Sequence, residues 1–175
     1  MKRKQPIEIW LLRHAKAERG GPGIPDEERA LTPASRRKMR STARAIAQQA
    51  PDFDGILTSP LVRARQTAEP VAKAIHSRKN PIQTEALSPW ADPKEILEEI
   101  ERRKLSRSLL VGHMPHLGKL LGYLLTGRPG TAVEIKKSAL ARVEFENGSA
   151  TPPGTLTLLL TRKALSRGRK PKPKP

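Results

Sequence analysis

Cysteine is absent from the 175-residue chain, which excludes disulfide frameworks, thiolate metal sites and cysteine nucleophiles. Any covalent chemistry must come from another residue type. Aromatic residues make up 3% of the chain, so the core has to be assembled from Leu, Ile, Val and Ala. That composition suits helices packed on a parallel sheet better than an aromatic-rich β-sandwich. Nowhere do the roughly eighteen apolar residues of a membrane-spanning helix run together. Met1-Lys2-Arg3-Lys4 leads straight into a short strand, with no signal-like apolar core or cleavage site. The expectation is a soluble, cytoplasmic protein with no membrane partner. Acidic residues are scarce as well, 17 against 34 Lys plus Arg, for a formal charge of +17. A surplus of that size favours polyanionic or phosphorylated partners and says little about fold.

The chain has the length of one domain. Its most informative stretch is Ile7 to Glu18, IEIWLLRHAKAE. Ile7, Ile9 and Leu11 alternate with Glu8, Trp10 and Leu12, so both faces are mostly apolar, as in a strand buried between two layers. Arg13 and His14 fall where that strand stops. Ligands of open α/β sheets bind beyond the carboxyl ends of the strands, which makes the pair a candidate site as well as a possible surface dipeptide.

Arg19 to Ala30 has no periodicity and reads as a loop over the site mouth. Thr32-Pro33 supplies an N-cap and a proline at the first helical position. Met39, Ala43, Ile46, Ala47 and Ala50 follow at helical spacing, with Arg36, Arg37, Arg40 and Arg44 on the solvated face, and Pro51 closes the helix. Gly55 to Thr58 is a second buried strand, stopped by Ser59-Pro60. Leu61, Ala64, Ala68, Val71, Ala72 and Ile75 mark the next helix and place Arg63 and Arg65 in its first turn. Cations there oppose the helix dipole, an arrangement expected where helix end and arginine bind one anion.

Ile82 to Leu87 reads as a short edge strand, Pro93 to Lys104 as an amphipathic helix, and Ser108 to Val111 as a third buried strand. Gly112-His113-Met114-Pro115 breaks that strand as Arg13-His14 breaks the first. Leu117, Leu120, Leu121, Leu124 and Leu125 define a further helix, stopped by Gly127. Ala139 to Phe145, a turn at Asn147-Gly148, and Thr155 to Leu160 form a hairpin-like pair. The alternation is that of an α/β fold, a parallel sheet covered on both faces. Residues 1–165 are read as the domain. Residues 166–175, rich in Lys, Arg and Pro, are read as a disordered basic tail able to bind polyanions weakly.

Three strand ends thus present Arg13 and His14, then Arg63, then His113. Two guanidinium groups can hold phosphoryl oxygens bidentately, and a helix N-terminus can add backbone N–H donors. Two imidazoles in a cationic pocket are not both protonated, so one can be a neutral nucleophile while the other donates to the transferred group. No cluster has metal-ligand spacing, and His76 and His116 read as structural or exposed; no metal or cofactor is expected. A basic nucleic-acid-binding protein would explain the charge and the tail. It would not explain the paired strand-end motifs, and the chain lacks the aromatic platforms such proteins use.

Leu12-Arg13-His14-Ala15 with Ala17, Arg29-Ala30-Leu31-Thr32, Ser59-Pro60-Leu61-Val62-Arg63-Ala64 with Gln66-Thr67-Ala68, and Gly112-His113-Met114-Pro115 with Leu117 stand in an order and spacing that resemble the histidine phosphatase superfamily. The likeness is to branch 1, with its phosphoglycerate mutase-like fold, and within it to SixA-type phosphohistidine phosphatases. It covers roughly Ile7 to Phe145. The resemblance implies a three-layer α/β/α sandwich with a mostly parallel sheet. It implies that His14 is the nucleophile of a phosphohistidine intermediate and that Arg13, Arg63 and His113 bind the phosphoryl group. The expected substrate is a phosphohistidine protein of signal transduction, the alternative a small phosphate monoester. Ala15 and Ser35 stand where glycine is usual. For a general acid the chain offers Glu18, Asp26, Glu85 and Asp92, none marked out by its surroundings in sequence.

Overall fold

A computed structural model describes residues 6–50, 52–146 and 148–167. Six strands form one sheet in the order β3-β2-β4-β1-β5-β6. These are β1 (Ile7–Arg13), β2 (Gly55–Thr58), β3 (Ile82–Gln83), β4 (Arg107–Gly112), β5 (Leu140–Phe145) and β6 (Thr155–Leu160). Strands β3, β2, β4 and β1 run parallel, whereas β5 and β6 are antiparallel additions at one side. Among the described residues five α-helices accompany them: α1 (Pro33–Gln49), α2 (Val62–Ala74), α3 (Pro93–Arg102), α4 (His116–Thr126) and α5 (Arg162–Arg167).

The three layers follow from the period of two along each strand. In β1, Trp10 and Leu12 face one apolar cluster, with Met39, Ala43 and Ile46 of α1 and Ala64, Ala68 and Val71 of α2. Ile9 and Leu11 face the opposite cluster, with Ile96 and Ile100 of α3 and Leu117, Leu120, Leu121 and Leu124 of α4. Strand β4 divides in the same way, Leu109 and Val111 to the first side and Leu110 to the second. Each such buried side chain contributes roughly 1.5–3 kcal/mol relative to exposure, so a one-residue slip of β1 or β4 would exchange both faces at once.

Local signals set the helix ends. The Thr32 hydroxyl accepts from the Ser35 amide at 3.1 Å and donates to its hydroxyl at 2.9 Å, so Ser35 takes part in the cap of α1. Asp92 caps α3 through the Lys94 amide at 2.9 Å. Gly127 ends α4 in the left-handed region, φ 68°, where glycine carries no Cβ penalty.

Three readings of the sequence are corrected. The stretch Ile82 to Leu87 is not one edge strand: β3 stops at Gln83 and Glu85–Leu87 forms a 3-10 turn. Thr84 causes the change, because its hydroxyl accepts from the Ala86 amide at 3.2 Å and donates to the buried Glu99 at 2.6 Å. The turn drops Leu87 into the core. The helix from Pro93 ends at Arg102, since Lys104 has φ 55°. The tail does not begin at Ser166. Ser166 and Arg167 belong to α5, whose Leu165 is buried in the α1 and α2 cluster. The rest of the tail, Pro51 and Asn147 lie outside the described residues.

Candidate active site

The carboxyl ends of β1, β4 and β2, neighbours in the sheet, gather the residues singled out from sequence. Arg13 closes β1 directly opposite Gly112 of β4, so the next residues along, His14 and His113, emerge side by side. The His14 amide extends the ladder by one bond, to the Gly112 carbonyl at 3.0 Å. The two imidazoles meet with ring centroids 4.9 Å apart and planes tilted by 47°. Strand β2 pairs with the other edge of β4, and Arg63 enters as the second residue of α2. His14, His113 and Arg63 are 7%, 1% and 5% exposed, and Arg13 is half-buried.

One hydrogen bond fixes the tautomer of His14. Its Nδ1 lies 2.7 Å from the Ala15 carbonyl oxygen. A carbonyl only accepts, so Nδ1 carries the proton and Nε2 holds the free lone pair. Burial pushes the His14 pKa down to about 4; the Ala15 carbonyl opposes that shift, while Arg63, Arg13 and Lys137 add to it. His113 is pushed down to about 2, first by burial and then by His14, Arg63, His116 and Arg13. Both rings are therefore neutral near pH 7, one holding a lone pair and the other still offering an N–H.

The arginines are aimed by backbone. Arg13 donates through Nη1 to the Ile135 carbonyl at 2.8 Å. That carbonyl can come close because α4 presents Gly118 and Gly122 to residues 131–135. The Val133 amide bonds the Gly118 carbonyl at 3.0 Å, and a Cβ on Gly118 would lie 2.7 Å from the Val133 oxygen. Arg63 donates through Nη1 to the Asp26 carbonyl at 2.6 Å and through Nη2 to the Asp26 carboxylate at 2.7 Å. The Nε atoms of Arg13 and Arg63 and both ring nitrogens of His113 are buried with no hydrogen-bond partner among the described residues. Such buried polar atoms are rare and expensive unless a partner arrives.

Two residues of the quoted motifs have roles that the sequence reading missed. Gln66 Oε1 accepts from the Leu31 amide at 2.7 Å. Thr67 Oγ1 accepts from the Ala15 amide at 3.1 Å and donates to the Arg63 carbonyl at 2.7 Å. Arg63, Gln66 and Thr67 lie at i, i+3 and i+4, one face of α2, and that spacing was the available signal. The Ala15 backbone is not at positive φ, so the methyl in place of a glycine hydrogen costs nothing there.

The four carboxylates part company. Glu18 is exposed, Glu85 accepts from the Ser88 hydroxyl, Asp92 caps α3, and Asp26 alone of the four bonds a residue of the constellation. Arg65 lines a separate cleft with Glu69, Lys73 and Gln83. His76 is exposed at the end of α2, whereas His116 is buried at the start of α4. Among the described residues no group of three or more His, Asp or Glu side chains could hold a metal ion, and no helix is long and apolar enough to cross a membrane.

A mostly parallel sheet thus brings two arginines and two neutral imidazoles to adjacent strand ends, an arrangement able to hold a phosphoryl group. The histidine phosphatase superfamily (branch 1) model matches residues 9–91. An uncharacterized protein of Picosynechococcus is 32% identical over 147 residues, 82% of this chain and 87% of that protein. The phosphohistidine phosphatase SixA of Escherichia coli K12 is 26% identical, over 83% of this chain and 90% of its own length. A protein histidine phosphatase SixA solved with tungstate has the same fold, with TM-score 0.77 at 24% identity over 91% of this chain and 99% of that one. The chain belongs to the histidine phosphatase superfamily, branch 1, and within it is of SixA type.

Proposed function

We propose that this phosphatase hydrolyses phosphohistidine carried on proteins, through a covalent phosphohistidine intermediate on His14 and without a metal. The observation that carries the reading is the His14 tautomer: Nδ1 tied to the Ala15 carbonyl, Nε2 free beside unpaired donors of Arg13, Arg63 and His113. In the first step Nε2 attacks phosphorus and the P–N bond of the substrate breaks, the leaving imidazole taking up a proton. In the second, water attacks phosphorus, the Nε2–P bond breaks, and inorganic phosphate leaves with His14 neutral again. Arg13, Arg63 and His113 hold the equatorial oxygens, on which charge is greatest in the transition state. These fixed donors supply the electrostatic stabilisation that a metal would otherwise provide.

The nature of the leaving group supports phosphohistidine over alkyl esters. A departing imidazole is basic enough to draw its proton from solvent or a weak donor, whereas an alkoxide needs a positioned acid. Three of the four candidate carboxylates are engaged elsewhere or exposed, and Asp26 is the partner of Arg63. The Escherichia coli relative bears the name of a phosphohistidine phosphatase, and the +17 charge favours encounter with acidic protein surfaces. The test is kcat/KM on a phosphohistidine-bearing carrier protein against a panel of sugar phosphates, phosphoglycerates and nucleotides. The carrier should be the better substrate; faster hydrolysis of any alkyl monoester would defeat the assignment.

A further inference from the structure

The loop from Arg19 to Ala30 is pinned at its base and reaches Arg63 at its tip. Ala17 bridges Leu31, the Glu18 amide bonds the Ala30 carbonyl at 2.8 Å, and the Thr32 amide bonds the Lys16 carbonyl at 3.1 Å. Gln66 of α2 holds the Leu31 amide, so the base of the loop and Arg63 are referenced to the same helix face. At the tip, Asp26 opens a 3-10 turn, Asp26–Glu28. Its Oδ1 lies 3.3 Å from Arg29 Nε, while its Oδ2 and backbone carbonyl take Arg63.

The geometry of Arg63 gives this contact a direction. A guanidinium has five N–H donors in one plane. Asp26 takes one from Nη1 and one from Nη2. The Nε edge is left over, and Nε is buried without a partner among the described residues. A planar group held at both Nη atoms cannot turn, so the free edge keeps a fixed aim.

We propose that Asp26 is a positioning residue for the phosphoryl-binding arginine: it clamps Arg63 through Nη1 and Nη2 and so presents the Nε edge to the phosphoryl oxygens. This rests on the reading of the strand-end constellation as a phosphoryl site and adds to it the residue that orients one of its donors. Two other roles would use the same contact differently. A gate would have the carboxylate occupy the arginine until substrate displaces it, and a general acid would have it protonate the leaving group.

Orthovanadate binding by calorimetry on the full chain, together with kcat and KM, separates the three. Asp26→Ala should weaken orthovanadate about tenfold or more and raise KM on the phosphohistidine carrier by a similar factor, with a smaller fall in kcat. Asp26→Asn keeps an oxygen for Nη2 and should recover most of the affinity, which a merely structural loop contact would not require. The thermal midpoint of both variants reports on folding. Equal or tighter orthovanadate binding by Asp26→Ala would overturn the assignment in favour of a gate. Unchanged affinity with kcat lost equally in both variants would overturn it in favour of an acid. Failure of the wild-type protein to bind orthovanadate would instead remove the phosphoryl site itself, and the assignment with it.

Discussion

The rings of His14 and His113 meet at 4.9 Å between centroids although 99 positions of sequence, His14 to His113, separate them. The contact exists because β4 lies beside β1 and Arg13 stands in register with Gly112. Two imidazoles so close stay neutral because burial disfavours their charged form and the two guanidinium groups nearby repel a further positive charge. Neutrality is what a nitrogen nucleophile requires.

Replacing His14 tests the nucleophilic role proposed for it directly. His14→Ala should lower turnover more than a hundredfold while leaving the fold intact, since the imidazole sits beyond the strand end and not in either apolar cluster. Denaturing the wild type in alkaline detergent during turnover should trap phosphate on the protein that is stable to base and released by acid, and His14→Ala should trap none. A variant that kept more than about a hundredth of the activity would rule out the covalent route.

Stability should depend on pH with a definite sign. His14, His113 and His116 have folded values of about 4, about 2 and about 4, against roughly 6.5 in an unfolded chain. Between those limits the unfolded state binds more protons. The neutral-imidazole contribution is therefore present above about pH 6.5 and lost as pH falls towards 4, by up to about 1.4 kcal/mol per pH unit for each histidine. Urea midpoints should decline steadily from about pH 7 to pH 5, and less steeply in His14→Ala. A flat profile over that range would contradict burial of the neutral rings.

Thr67 links the two halves of the site, and its hydroxyl is fully buried. Thr67→Val keeps the shape and strands the Ala15 amide, a loss of about 1–3 kcal/mol for a buried unsatisfied donor. The same change frees the backbone next to His14, so kcat should fall along with the urea midpoint. Retention of full activity at reduced stability would separate Thr67 from the site.

Exhaustive EDTA treatment should leave turnover unchanged. If chelation silenced the enzyme and a divalent ion restored it, the donors assigned to Arg13, Arg63 and His113 would have to be reassigned to a metal.

Much of this was legible one segment at a time. The apolar run Ile7 to Leu12, the Thr32-Pro33 cap, the Ser59-Pro60 break and the Gly127 stop are local features, decided by side-chain period and backbone chemistry within a few residues. They located Arg13, His14, Arg63 and His113 at strand ends and helix starts, where the structure has them. Where a local signal was outweighed, a distant partner did it. Thr84 turns the chain because Glu99, on α3, accepts a hydrogen bond from its hydroxyl, and Leu165 draws Ser166 and Arg167 into α5 by packing into the cluster of α1 and α2.

The sequence by itself determined which residue types stand at the ends of which elements, because those choices are made by short-range physics. Only the tertiary structure decided their mutual arrangement. It put β4 between β1 and β2, so that both histidines and Arg63 come together at one end of the sheet. It turned His14 to the tautomer set by Ala15. And it singled out Asp26 from four carboxylates alike in sequence by folding its loop onto Arg63, 37 positions away. Strand order and loop docking depend on contacts between remote segments, whose closure is determined by the packing of the whole chain and leaves no periodic trace in any one segment.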